Sequence, residues 1–193
     1  MTQAVFFDVL PKNGFVDAYF AMAVGLRSIV EKNPGFISVE RFKNLQRPDW
    51  YLSFSNWANE ESLAGWRCQP DHSSAQVCGR SLILEDYRLR VASEVSAETG
   101  SAEFSESERI TAYIGNFKEI EYAVSQIQIP DLTPRLFQGV IDPTRGIALV
   151  EFSKNQSLHL LKHSSNDLFA IRCFGVVRDY GMFNRAQAPQ QFI

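Results

Sequence analysis

Leu52-Ser53-Phe54-Ser55, followed by Ser62-Leu63, reappears later in the chain as Val150-Glu151-Phe152-Ser153 followed by Ser157-Leu158. In both places an alternating apolar run leads into a helical pattern. The second copy is three residues shorter in the intervening loop. Shared element order around the two copies is a stronger sign of duplication than these few identities.

Around the first copy, residues 4–10 form a mostly apolar run closed by Pro11 and Asn13-Gly14, a strand followed by turn chemistry. Phe15, Ala18, Tyr19, Met22, Ala23, Leu26, Ile29 and Val30 then fall at three- and four-residue spacing. That spacing predicts one amphipathic helix, stopped by Asn33-Pro34-Gly35. Residues 36–42 alternate, with Phe36, Ser38, Glu40 and Phe42 on one face and Ile37, Val39 and Arg41 on the other. A loop containing Pro48 leads to a partner strand over 50–57. Asn59 is placed to cap a helix that starts at Glu60, with Leu63 and Trp66 inward. Pro70 breaks it, Asp71 is expected to cap a continuation to Gln76, and residues 83–95 supply a last strand. The order is β-α-β-β-α-β.

Residues 96–107, SAETGSAEFSES, have the small, polar, acidic composition of a linker. The order then returns: strand 109–114, helix 118–127, strands 137–141 and 146–152 around Asp142-Pro143-Thr144-Arg145, helix 155–163 and strand 168–180. We expect an α+β protein of tandem ferredoxin-like units. The first spans 1–95, the linker 96–107, and a degenerate second unit 108–193. One βαββαβ unit covers one face of its sheet with helices and leaves the other face open. A second sheet supplied by the same chain would cover it. That makes an α+β barrel-type pseudo-dimer, either complete in itself or able to pair as a homo-oligomer.

A net charge of −3 and a pI near 5.6, without any basic run, argue against nucleic acid and anionic membrane as partners. The first residues lack the basic region of a secretory signal, and no apolar run approaches the roughly 18 residues that span a bilayer. A cytoplasmic location is the expectation. Cys68, Cys78 and Cys173 contain no CxxC pair, so buried free thiols are expected rather than a disulfide framework or zinc site. Fifteen Phe point to aromatic packing or an apolar pocket.

The first half resembles the antibiotic biosynthesis monooxygenase (ABM) family of the dimeric α+β barrel superfamily. The residues that carry the resemblance are EKNPGFISVERF at 31–42, YLSFSNWANEESLAGWRCQPDHSSAQ at 51–76 and DYRLRVA at 86–92. It covers about residues 4–95; the second half shares only the element order. The resemblance implies a pocket between sheet and helices within each half. It also implies monooxygenase chemistry on a small aromatic ligand of quinol or anthrone kind, with no cofactor. A noncatalytic ligand-binding or regulatory barrel is the alternative. Heme degradation is disfavoured, because Gln76, Val77 and Cys78 stand where such relatives carry a ligating His, and the first strand lacks their Asn.

Trp66 matches the inner-helix Trp that lines the family pocket; alternatively it is a core Trp. His72 could bind a ligand, act as a base near neutral pH, or cap the restarted helix. Asp8 could orient a phenolic hydroxyl or take its proton, or it could pair with Arg88 or Arg90 on the last strand. Tyr51, Tyr87 and Arg88 are further candidate substrate contacts. His159 and His163 share a helical face, but no third ligand accompanies them, and solvent exposure explains them better than metal. Leu161 stands where the second copy would repeat Trp66, so the site is expected in the first half.

Overall fold

The computed structural model describes residues 1–95, 108–127, 132–153 and 167–189. The expected linker, the helix 155–163, Leu161 and both His159 and His163 lie outside the described residues.

Alternation along β1 (Gln3–Pro11) sets the architecture. Ala4 and Phe6 join a core with Phe42, Leu52, Phe54, Ala92 and Phe174, whereas Val5, Phe7 and Val9 pack toward helices. The remaining first-half elements are α1 (Val16–Gly25), α2 (Arg27–Val30), β2 (Phe36–Asn44), β3 (Tyr51–Trp57), α3 (Glu60–Arg67), α4 (Pro70–Cys78) and β4 (Leu84–Val95). The second half supplies β5 (Arg109–Asn116), α5 (Phe117–Ser125), β6 (Arg135–Gly139), β7 (Arg145–Phe152) and β8 (Phe169–Gly181).

All eight strands close into one antiparallel barrel, in the order β1-β3-β2-β6-β7-β5-β8-β4. The halves therefore do more than lay two open sheets face to face: they share hydrogen bonds at both edges, which leaves no free sheet edge. One seam is long, running along β4 and β8 from Arg88–Gly181 to Val95–Cys173. The other is short, with Phe42–Asn44 on β2 against Phe137–Gly139 on β6. The barrel interior is aromatic. Phe6 lies 5.0 Å from Phe54 and 5.2 Å from Phe174 between ring centroids, the second in an edge-to-face contact.

Several local expectations change. The single first helix is two, because the chain breaks at Leu26 between α1 and α2. Gln69, not Asp71, caps α4: its side chain accepts from the His72 backbone N–H at 2.7 Å, with Pro70 in the first turn, where a missing N–H costs nothing. A register shift between Phe36 and Ser38 leaves Ile37 unpaired, so Phe36 moves to the face of Val39 and Arg41. Gly35 has φ +79°, and a Cβ there would lie 2.1 Å from Ser62 Oγ, so the turn into β2, packed against α3, needs glycine. Of the cysteines expected to be buried, Cys68 is exposed and Cys78 and Cys173 are half-buried.

Candidate functional site

The outer face of the first-half sheet forms the floor of a cavity of about 230 Å³, roofed by α1, α3 and α4. Strand pairing arranges the floor in rows. Val91, Val5, Ser55 and Val39 lie in one row across β4, β1, β3 and β2; Leu89, Phe7, Ser53 and Arg41 lie in the next. Tyr87, Val9 and Tyr51 follow.

One end of the cavity is a stack of three rings. Asn59 caps α3 by accepting from the Ser62 N–H at 2.9 Å, which directs Leu63 and Trp66 inward. The chain then restarts at Gln69 and folds His72 back onto Trp66, with ring centroids 4.3 Å apart and planes 18° apart. Trp57 lies beyond Trp66 at 6.3 Å and 27°, and its Nε1 donates to Ser55 Oγ at 3.0 Å. His72 Nδ1 is 3.0 Å from the Trp66 carbonyl oxygen. A carbonyl only accepts, so Nδ1 carries the hydrogen and the neutral ring keeps its lone pair at Nε2. Burial pushes the His72 pKa down to about 4, against the weaker upward pull of that hydrogen bond. At neutral pH the ring is uncharged.

The other end is lined by tyrosines. Tyr19 from α1 is buried beside the Arg41 guanidinium; burial raises its pKa and Arg41 opposes the rise. Tyr87 and Tyr180 lie nearby. The Tyr87 hydroxyl accepts from Arg185 Nη1 at 2.5 Å, and burial raises the Tyr180 pKa. Tyr180, Arg185 and Pro189 all belong to the second half, which therefore completes the first-half cavity as well as closing the barrel.

Of the residues read from sequence, Trp66, His72 and Tyr87 meet in this cavity. Tyr51 shares its sheet face but packs against Phe20, 5.1 Å away edge to face, outside the lining. Asp8 and Arg88 are not brought to it. Strand alternation turns them to the opposite face of the sheet. Asp8 is buried in the barrel between Arg90, at 2.8 Å, and Arg135, at 2.7 Å. Arg90 and Arg135 both also bind Glu151. Arg88 grips Asp179 on β8. The Asp8–Arg135, Arg90–Glu151 and Arg88–Asp179 pairs join the two halves, and these contacts account for Asp8 and Arg88 structurally.

Arg41, Tyr19, Tyr180 and Arg185 were not singled out from the sequence. Arg41 had a signal: an arginine on a strand face otherwise occupied by Ile37 and Val39. Tyr180 and Arg185 had none nearby, because they reach the cavity through the barrel seam.

A Pyricularia oryzae protein named jasmonate monooxygenase ABM is 30% identical to this chain over an alignment covering 97% of it and 96% of that protein. The antibiotic biosynthesis monooxygenase family model matches residues 3–77. The chain belongs to the antibiotic biosynthesis monooxygenase family. The match to the family model covers β1 through most of α4, including Trp66 and His72 of the ring stack. Among solved structures, a Mycobacterium tuberculosis protein is similar with a TM-score of 0.46 and 13% identity, covering 51% of this chain and all of that one. An anthrone oxidase-like protein is similar with a TM-score of 0.40 and 11% identity, covering 97% of this chain and 96% of that one. No helix among the described residues is long and apolar enough to cross a membrane.

Proposed function

We propose that this ABM-family protein is a monooxygenase that oxygenates a small electron-rich aromatic, quinol or anthrone in kind, without a cofactor. The cavity beside Trp66 and His72 is its site. The observation that supports this most is the ring stack: a flat apolar wall whose outermost member, His72, lines the cavity and keeps a neutral ring with Nδ1 bonded to the Trp66 carbonyl.

For an anthrone-like substrate, the ring CH₂ loses a proton toward the His72 lone pair. In this reading the protonated Tyr19 and Tyr180 hydroxyls, both in the cavity lining, donate to the enolate oxygen that forms. The carbanion reduces O₂; one oxygen atom becomes the new carbonyl, the other leaves as water, and CH₂ + O₂ becomes C=O + H₂O. The apolar surface that Val5, Phe7, Leu89, Val91 and Trp66 give the cavity suits a reaction in which the substrate itself supplies the electrons.

Oxygen uptake by the purified protein with anthrones, quinols and jasmonate tests this reading; jasmonate joins the panel because the relative from Pyricularia oryzae bears its name. One O₂ consumed per substrate oxidised is expected for the anthrones. A noncatalytic binding protein is the second reading, and the low pKa of His72 favours it, because a weakly basic imidazole is a poor acceptor for a carbon acid. Tight binding of these compounds with no oxygen uptake would decide for it.

A further inference from the structure

The charge of the cavity wall is one-sided. Among the described residues five arginines line it, Arg27, Arg41, Arg67, Arg80 and Arg185, and no Asp or Glu does, in a chain whose net charge is −3. Among the described residues two of the five have carboxylate partners: Arg27 bonds Glu31 at 2.6 Å, and Arg67 is 3.9 Å from Glu60.

Arg41 differs. It sits on the floor, in the row with Ser53 and Phe7, where its neighbours cannot neutralise a cation. Its Nε is buried without a hydrogen-bond partner among the described residues, as is that of Arg67, but Arg67 has Glu60 beside it to balance its charge. No carboxylate among the described residues pairs with it, although arginines elsewhere in the barrel are paired: Arg90, Arg135, Arg145 and Arg172 each hold at least one carboxylate. A buried guanidinium donor without an acceptor is costly, and a ligand that brings an anion removes the cost. Val5, Phe7, Leu89, Val91 and Trp66 give the same cavity an apolar surface.

We infer that the ligand of this cavity is a small carboxylic acid with an apolar body, its carboxylate held by Arg41 and its body lying against the Trp66 wall. This rests on the cavity being the ligand site, and does not require turnover. The Tyr19 hydroxyl beside Arg41 supplies a second donor to the same carboxylate.

Calorimetric titration of the full chain with octanoate, cyclohexylacetate and cinnamate, each beside its methyl ester, tests it. The ester keeps the shape and removes the charge. At least one acid is expected to bind roughly tenfold or more tightly than its ester, the usual scale for one charge-assisted hydrogen bond. Arg41→Met should erase the preference and Arg41→Lys should keep part of it. Equal binding of every acid and ester, or no binding of any acid, overturns the inference. So does a preference that survives Arg41→Met and disappears in Arg185→Met. If Arg41→Met does not fold, the wild-type comparison and Arg41→Lys decide. Failure of oxygen uptake leaves this result untouched, which separates the inference from the proposed activity.

Discussion

Arg135 Nη1 donates to Asp8 Oδ1 at 2.7 Å, joining residues 127 positions apart inside the barrel. Asp8 also accepts from Arg90 Nη2 at 2.8 Å, so one buried carboxylate neutralises two guanidinium groups, one from each half. Asp8→Asn leaves both arginines short of charge. Removing one partner of a buried pair costs about 3–5 kcal/mol. Urea unfolding should show a loss of that order, while the folded fraction binds ligand as the wild type does.

Glu151 completes this cluster. Burial alone would raise its pKa, but Arg90, Arg135 and Arg88 together overcome burial and hold it down to about 2. A carboxylate whose folded pKa is depressed stabilises fully above its unfolded value, near 4.5, and loses that contribution as pH falls toward 2. Stability should drop across this interval. Glu151→Gln should flatten the dependence while lowering stability near neutral pH, which melting curves at stepped pH would show.

His72 has the same sign of dependence by a different route. Its folded pKa lies below its unfolded one, so it binds its proton more readily unfolded, and it costs stability as pH falls from about 6.5 to 4. By NMR its ring should stay neutral above pH 5.5. If His72 is the base, kcat/KM should be flat from there to neutrality, with His72→Asn losing activity.

Trp66→Ala removes the middle ring of the stack. A buried Trp truncated to Ala costs about 3–5 kcal/mol in stability, and ligand binding should disappear with the wall. Trp66→Phe keeps a flat ring and should retain measurable affinity, which separates loss of the wall from loss of the fold.

Arg185→Ala should weaken ligand binding without shifting the melting temperature by more than a degree or two. Arg185 is exposed, and its described bond is to the Tyr87 hydroxyl at the cavity rather than to the core. Calorimetry beside thermal melts would check both halves of that expectation.

Much of the first half was legible because local chemistry decides it. Asn59 as a cap, the inward Leu63 and Trp66, and the alternation of β1 and β4 need only neighbouring residues. The barrel seams were not legible. Nothing within Phe42–Asn44 announces a partner at Phe137–Gly139, since that pairing is a long-range event between strands of ordinary composition. Asp8 shows the same limit in the site. Its strand and its arginine neighbours could be read, but which face it occupied could not, and the face decides between a proton acceptor and a structural ion pair. Phe36 changed faces through a bulge at Ile37 that has no turn signature.

The segment after β8 carries Arg185 and Pro189 onto the cavity of the other half. The two copies are thus no longer interchangeable parts. One provides the chamber, and the other provides a piece of its wall. An N-terminal half produced alone would be missing part of the wall of its own cavity.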